Sequence, residues 1–337
     1  MAYETATKIY SHTLAARQKN RVNMKKWFPI LFGFVFLMAC NNAQEKLNYN
    51  NNQNDWKNDK LIGEVKTLVQ YKANVINSKN RITEKSRIEF KKEYTKFGMI
   101  SFQEYYDNFK ELKQDTKNEY NNKGLRVKSI TNFYTMHSKM VQTNQYDTDG
   151  RLISLSIIND DSLALNARLE YNSHGDLIKE TGIQNGDSNK VIFEYKYNNN
   201  GKIVLKKQIQ NERSEKNEQV FIYKYNKSGN VVEETNKSNI FGEIKLTYEY
   251  NSKNKLKKSS EYQNGKIQKE TYFDSKHNQT LIKYYENKTL NREMKFEYKF
   301  DDTGNWIVRK AFLKENFAKD EKFKPVYVET RKIEYYE

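Results

Sequence analysis

Nine copies of one short pattern, an aromatic residue followed four positions later by a turn-forming residue, restrict what this chain can fold into. The copies begin at Tyr94, Tyr120, Tyr146, Tyr171, Tyr197, Tyr225, Tyr250, Phe273 and Phe300, and the spacings between them are 26, 26, 25, 26, 28, 25, 23 and 27 residues. The fifth position is Gly98, Gly124, Gly150, Gly175, Gly201, Gly229, Asn254, His277 and Gly304. Glycine, asparagine and histidine share a tolerance for positive φ, so this position is read as left-handed. The second position is Asn or Asp in every copy but the first, which has Thr95. A side-chain oxygen there can accept a backbone N–H two residues on and nucleate a turn. A type I turn closed by a G1 bulge satisfies both preferences.

Strands flank the turns. In Phe193-Glu194-Tyr195-Lys196-Tyr197 aromatics and charges alternate with the period of a strand, and 296–300 does the same. An apolar residue follows two positions past most turns: Leu152, Leu177, Ile203, Val231, Leu256 and Trp306. Each repeat is thus two antiparallel strands, which gives roughly eighteen strands in all, more than the ~10 an open sheet holds before it curls or flattens. The predicted fold is all-β: an elongated antiparallel repeat sheet of stacked β-hairpins, twisted or coiled, over residues 61–337. Residues 61–71 read as a first strand, and 331–337 as a strand on which the chain stops. Over 102–120 two readings stand. Phe102, Tyr105, Tyr106, Phe109 and Leu112 have helical spacing, whereas the 26-residue register gives strand.

The polar composition, with 36% hydrophobic and 30% charged residues, would suit a disordered chain. The 14% aromatic content and the presence of only two prolines favour thin, half-solvated β-structure instead.

The repeats resemble a known family. "YDTDGRL" at 146–152 is similar to the tyrosine–aspartate (YD) repeat of the Rhs proteins, and "YQNGKIQKETYF" at 262–273 resembles a shorter MORN-like repeat. In Rhs proteins many more repeats wind into a shell around a C-terminal toxin. Here the resemblance implies a repeat protein that presents a surface.

The amino terminus resembles a bacterial lipoprotein signal peptide. Lys25 and Lys26 precede an apolar stretch from Trp27 to Met38, too short for the ~20 residues of a spanning helix, and the segment ends Leu37-Met38-Ala39-Cys40. The resemblance implies cleavage before Cys40 and acylation of that cysteine, so that the lipid bilayer is a partner through Cys40. The chain then divides into 1–23, an extension before a start at Met24; 24–39, the signal; 40–60, an Asn-rich tether; and 61–337, the repeat domain. Residues 1–39 carry six of the 59 basic and one of the 43 acidic residues, which leaves a net charge of +11 from Cys40 onward.

Catalytic and metal chemistry are not signalled. Cys40 is the single cysteine, His174 and His277 fall in predicted turns, and His137 stands alone. Neither a G-x-S-x-G elbow nor a phosphate loop occurs. Glu194, Glu249 and Glu297 lie opposite the aromatics, as on a solvated face. The basic charge is spread over strands, and the envelope location excludes nucleic acid. The expectation is a lipid-anchored, non-enzymatic protein of the cell envelope, in the outer membrane, without cofactor, that binds or scaffolds an envelope protein or a glycan. The alternatives are an immunity-type protective lipoprotein and, last, a polysaccharide-active enzyme.

Overall fold

The computed structural model describes residues 54–75, 86–184, 187–212, 215–239, 242–315 and 322–337. The signal segment and Cys40 lie outside them. A short helix, α1 (Asp55–Asn58), precedes twenty strands. They are β1 (Val65–Asn74), β2 (Arg87–Tyr94), β3 (Ile100–Tyr106), β4 (Leu112–Tyr120), β5 (Arg126–Phe133), β6 (Ser138–Tyr146), β7 (Leu152–Asn159), β8 (Ser162–Tyr171), β9 (Leu177–Gln184) and β10 (Asp187–Tyr197). The second half comprises β11 (Ile203–Glu212), β12 (Glu215–Tyr225), β13 (Val231–Ser238), β14 (Gly242–Tyr250), β15 (Leu256–Gln263), β16 (Lys266–Phe273), β17 (Gln279–Glu286), β18 (Thr289–Phe300), β19 (Trp306–Glu315) and β20 (Lys324–Tyr335). Residues 102–120 are strand and turn.

Every strand pairs antiparallel with its neighbours in sequence, and β1 pairs with both β2 and β20. The sheet is therefore a closed β-barrel. This corrects the expectation of an elongated, twisted or coiled sheet with two free ends. The stretch on which the chain was expected to stop is the partner of the first strand: Leu68 faces Ile333, Val69 faces Lys332 and Gln70 faces Arg331. The physical reason is edge removal. A long sheet curls as strand twist accumulates, and joining its two edges pairs the backbone groups both would leave open.

The nine repeat turns form one rim. In each, the strand register shifts at the aromatic residue. Asn198 shows the turn chemistry: its Oδ1 accepts from the backbone N–H of Asn200 and of Lys202, both at 3.0 Å. In the first copy the Thr95 Oγ1 accepts from Phe97 and Met99 at 3.3 and 3.2 Å. The fifth positions have φ from +57° at Asn254 to +98° at Gly304. Gly201 has φ +71° and open space around it, so backbone conformation alone calls for glycine there. Gly98 differs, because a Cβ would lie 2.4 Å from Asn54 Oδ1 and 2.6 Å from Trp56 Cε3. A further turn of this type occurs at the opposite rim, between β3 and β4. Asp107 Oδ1 accepts from Phe109 and Glu111 at 2.7 and 3.0 Å, and Lys110 takes the left-handed position at φ +69°.

Tyrosines clasp adjacent hairpins along the repeat rim. Tyr120, Tyr146, Tyr171, Tyr195, Tyr225, Tyr250 and Tyr298 donate from their hydroxyls to the carbonyls of Ile100, Arg126, Leu152, Leu177, Ile203, Val231 and Gln279, all at 2.7–2.8 Å. Each acceptor is the first residue of the strand just before the tyrosine's own. The aromatic of the repeat thus supplies a hydroxyl as well as apolar area. At Phe300, and at Tyr197, whose hydroxyl goes to Asp176 Oδ2 at 2.6 Å, the tyrosine two residues earlier (Tyr298 or Tyr195) makes the clasp.

One face of the wall is crowded and the other open, as curvature requires of an inner and an outer face. Inward lie Phe193, Phe221, Phe296, Leu169 and Val191, all buried. Leu169, Val191 and Phe193 belong to a cluster over β7–β10, and Phe296 to another over β18–β19 with Ile282 from β17. Neither joins strands across the ring, so packing runs along the wall rather than through one central core. Outward lie charged residues such as Lys117, Glu119, Glu194, Lys196, Glu297 and Lys299, all exposed.

Residues 54–64 fold back on the repeat rim at the seam, although 54–60 belong to the tether by composition. Asn54 caps α1 by accepting from Trp56 N–H at 2.9 Å. Trp56 packs with Leu68 and Tyr94 and donates from Nε1 to Val65 O at 2.8 Å. Asp55 accepts from Ile100 N–H at 2.6 Å, and Ile62 exchanges two 2.7 Å hydrogen bonds with the buried amide of Asn305. The segment thus ties the β2–β3 turn to the β18–β19 turn across the closure.

Candidate functional site on the outer wall

The outer wall carries a belt of cross-strand ion pairs. Lys207–Glu218 (3.1 Å), Lys224–Glu233 (2.7 Å), Lys237–Glu243 (3.3 Å), Lys258–Glu249 (3.4 Å) and Lys258–Glu270 (2.6 Å) link β11 through β16. The exposed pairs among these contribute little to stability but keep the surface solvated, while Glu270 is buried. Among the described residues no ion pair joins β6 to β7 or β7 to β8, which the belt does not reach, whereas Lys179–Glu170 (2.6 Å) joins β8 to β9.

Two cross-strand rows of polar side chains, uncharged apart from Arg168, lie here. Strand pairing aligns Gln145 with Ser154 and Ser154 with Arg168; one step further along, it aligns Thr143 with Ser156 and Ser156 with Asn166. The two serines are the shortest members and occupy the middle strand. Longer side chains rise on both sides, so the surface dips along β7. The resulting depression, of about 470 Å³, is lined by Thr143, Gln145, Ile153, Ser154, Ser156, Asn166 and Arg168. Arg168 is exposed and has no ion-pair partner among the described residues. Apolar groups flank the groove, with Ile158 and Leu163 facing each other toward the far rim.

The groove's chemistry is that of hydrogen bonding beside a single cation, Arg168, with no carboxylate in its lining. Two amides and three hydroxyls offer both donors and acceptors, and the guanidinium adds donors in a fixed plane.

The residues singled out from the sequence are not brought together here. The nine turn positions lie around one rim as architecture. His174 stacks on Tyr197 with ring centroids 4.8 Å apart, His277 occupies a turn, and His137 sits in the β5–β6 turn at φ +50°. Among the described residues, no group of three or more His, Cys, Asp or Glu is arranged to hold a metal. Buried carboxylates are present on the inner wall but apart from one another. Burial alone raises Glu180 to about 7. Burial also raises Glu234, four strands away, against the lowering influence of Tyr248 and Lys206.

The groove had a signal in the sequence. The residue just before the repeat aromatic is charged at Glu93, Glu119, Glu170, Lys196, Lys224, Glu249 and Lys299, but neutral at Gln145 and at Tyr272. The neighbouring strand likewise has serines at 154 and 156.

A protein-family model described as "Uncharacterised protein" matches residues 143–297. No curated protein matches the chain. Among solved structures, a porin-like protein from Bacteroides uniformis ATCC 8492 is 11% identical, with a TM-score of 0.34 over 80% of this chain and 98% of its own. A porin-like protein from Bacteroides vulgatus ATCC 8482 is 12% identical, with a TM-score of 0.20 over 81% and 98%. The Photorhabdus luminescens Tc holotoxin pore is 12% identical, with a TM-score of 0.29 over 74% of this chain and 14% of that one. Closure of the ring rests on the chain's own strand pairing, not on these neighbours, whose TM-scores all lie under 0.5.

Proposed function

We propose that the protein is a lipid-anchored, non-enzymatic component of the bacterial cell envelope that binds a glycan in the polar groove on β6–β8. The lining of the groove, two amides and three hydroxyls with Arg168, carries this reading. Sugars present hydroxyls that both donate and accept, so an uncharged set of amides and hydroxyls beside an aliphatic rim is suited to them. A protein partner would instead call for a larger apolar patch with aromatic anchors.

The outer wall argues for attachment by a lipid rather than by the barrel itself. A lysine facing lipid at the bilayer midplane costs about 2–4 kcal/mol in a transmembrane barrel, and this wall repeats charged residues strand after strand. Anchoring is therefore assigned to Cys40. Cys40→Ala is expected to abolish palmitate labelling and release the protein from the membrane fraction; retention of the variant would reject the anchor.

Titration calorimetry against purified envelope polysaccharides tests the groove. At least one neutral glycan should bind, and the double variant Asn166→Ala/Arg168→Ala should weaken it at least ~10-fold, a loss of about 1.4 kcal/mol. Lys245→Ala/Glu249→Ala, on the charged part of the wall, should bind as the parent does. Equal binding by both variants would place the glycan elsewhere.

A further inference from the structure

The repeat rim is unevenly charged. Three consecutive turns carry Lys227 (between β12 and β13), Lys253 and Lys255 (β14 and β15) and Lys276 (β16 and β17), all exposed. Among the described residues none of the four has an ion-pair partner. Asp274 is the one acid in these turns, and its Oδ1 accepts from the backbone N–H of Lys276 and of Asn278, both at 2.8 Å. The turn between β6 and β7 differs, because there Arg151 is paired with Asp147 and Asp149 at 2.7 and 2.9 Å. Unpaired positive charge is thus gathered on one sector of the rim.

Exposed apolar side chains adjoin that sector. Lys60, in the covering segment, donates to His277 O in the turn between β16 and β17 at 3.1 Å. Two residues on, Ile62 is 51% exposed, and Phe97, at the tip of the turn between β2 and β3, is 81% exposed. Beside Phe97, Gly98 O accepts from the backbone N–H of Trp56 at 3.3 Å. The described chain therefore begins, at Asn54, next to these apolar tips. Asn54 follows Cys40 by fourteen residues. A coil of that length spans about 20 Å on average, whereas a ten-residue strand such as β8 is ~33 Å long. A lipid on Cys40 would hold the repeat rim nearer the bilayer than the far rim.

We propose that the repeat rim docks on the bilayer surface, with the lysine arc on anionic phospholipid headgroups and Phe97 and Ile62 inserted at the headgroup boundary. Charge and buried apolar area together hold such a surface on a membrane. The orientation rests on the Cys40 anchor proposed above; the lipid contact itself does not. At physiological salt the Debye length is ~8 Å, so the contact orients a protein already tethered rather than holding one alone. The outer wall, with its groove on β6–β8, stays uncovered.

Vesicle co-sedimentation tests the docking surface with the mature chain, residues 40–337, carrying Cys40→Ala and no lipid, so that the result is independent of the anchor. At low ionic strength the protein should pellet with vesicles of phosphatidylglycerol and phosphatidylcholine and stay in solution with phosphatidylcholine alone. Sodium chloride at ~1 M, where the Debye length is ~3 Å, should release it. Lys227→Gln/Lys253→Gln/Lys276→Gln should lower partitioning on the order of 100-fold, at about fivefold per lysine, and Phe97→Ala should lower it about tenfold. Matched changes at exposed positions of the far rim, Lys110→Gln/Lys139→Gln/Lys288→Gln and Phe109→Ala, should leave it unchanged. Equal binding to both kinds of vesicle, or an equal loss from the far-rim changes, would overturn the docking surface. Should that happen while Cys40→Ala still frees the protein from the membrane fraction, the anchor stands and only the orientation falls.

Discussion

Leu68→Ala should cost about 4 kcal/mol of unfolding free energy, read from chemical denaturation. Leu68 is fully buried on β1 and lies where three parts of the fold meet. Its strand partners are Lys92 on β2 and Ile333 on β20, and Trp56 packs over it from the covering segment. The surrounding atoms are held by two ladders and a cap, so the cavity has little room to collapse, which places the cost at the upper end for such truncations. In an open repeat array an end strand would contribute only its own local contacts. In a closed barrel the same change weakens the seam, and failure of the seam exposes two strand edges at once. A cross-link separates these cases. Val69 and Lys332 face each other in the β1–β20 ladder, within the reach of a disulfide. With Cys40→Ser as background, Val69→Cys/Lys332→Cys should oxidise within a single chain and recover about 2–3 kcal/mol of the loss. Cross-linking only between chains would mean that the first and last strands do not meet.

The parts of this fold that the sequence reveals are the local ones. Tyr197, Asn198 and Gly201 specify one turn through side-chain hydrogen bonding and backbone conformation, both set within a few residues. The turn at 106–110 escaped notice because Lys110 stands where glycine is usual, although Tyr106-Asp107 repeats the opening of the pattern. Closure is a different kind of fact. It depends on how twist adds up over twenty strands and on the match between β1 and β20, some 260 residues apart, and neither leaves a mark at a single position. The cap was hidden by composition: Asn54 and Asp55 look like more of an Asn-rich tether, yet they satisfy backbone groups of α1 and β3. The hydroxyl role of the repeat tyrosines was also invisible, since an aromatic at a strand end is equally well explained by packing. The groove was partly legible, through Gln145, Ser154 and Ser156 breaking the charge pattern. Its depth becomes apparent only once the register sets the serines side by side.

Glu180→Gln should change how stability depends on pH more than any other single carboxylate substitution. Glu180 is 6% exposed on the inner face of β9, opposite Leu169 on β8 and Val191 on β10. Burial without a compensating cation raises its carboxyl from 4.5 to about 7. The sign follows from proton binding. Between about pH 4.5 and 7 the folded chain still holds this proton while the unfolded chain has released it, so stability falls as pH rises through that window. The contribution is fully present below pH 4.5 and is lost above about pH 7, a total of roughly 3 kcal/mol at ~1.4 kcal/mol per unit. Glutamine keeps the shape and the neutral state at every pH. The variant should therefore unfold like the parent near pH 4 and be more stable by up to about 3 kcal/mol at pH 8, with its midpoint in urea displaced upward accordingly. Glu234→Gln is the fitting comparison, because Tyr248 lies 3.5 Å from its carboxylate and Lys206 is close enough to oppose the shift. Its pH dependence should be shallower. A parent and a Glu180→Gln variant whose stabilities run parallel from pH 4 to 8 would show that Glu180 is solvated in the folded barrel, and that the inner wall between β8 and β10 is wetter than its packing implies.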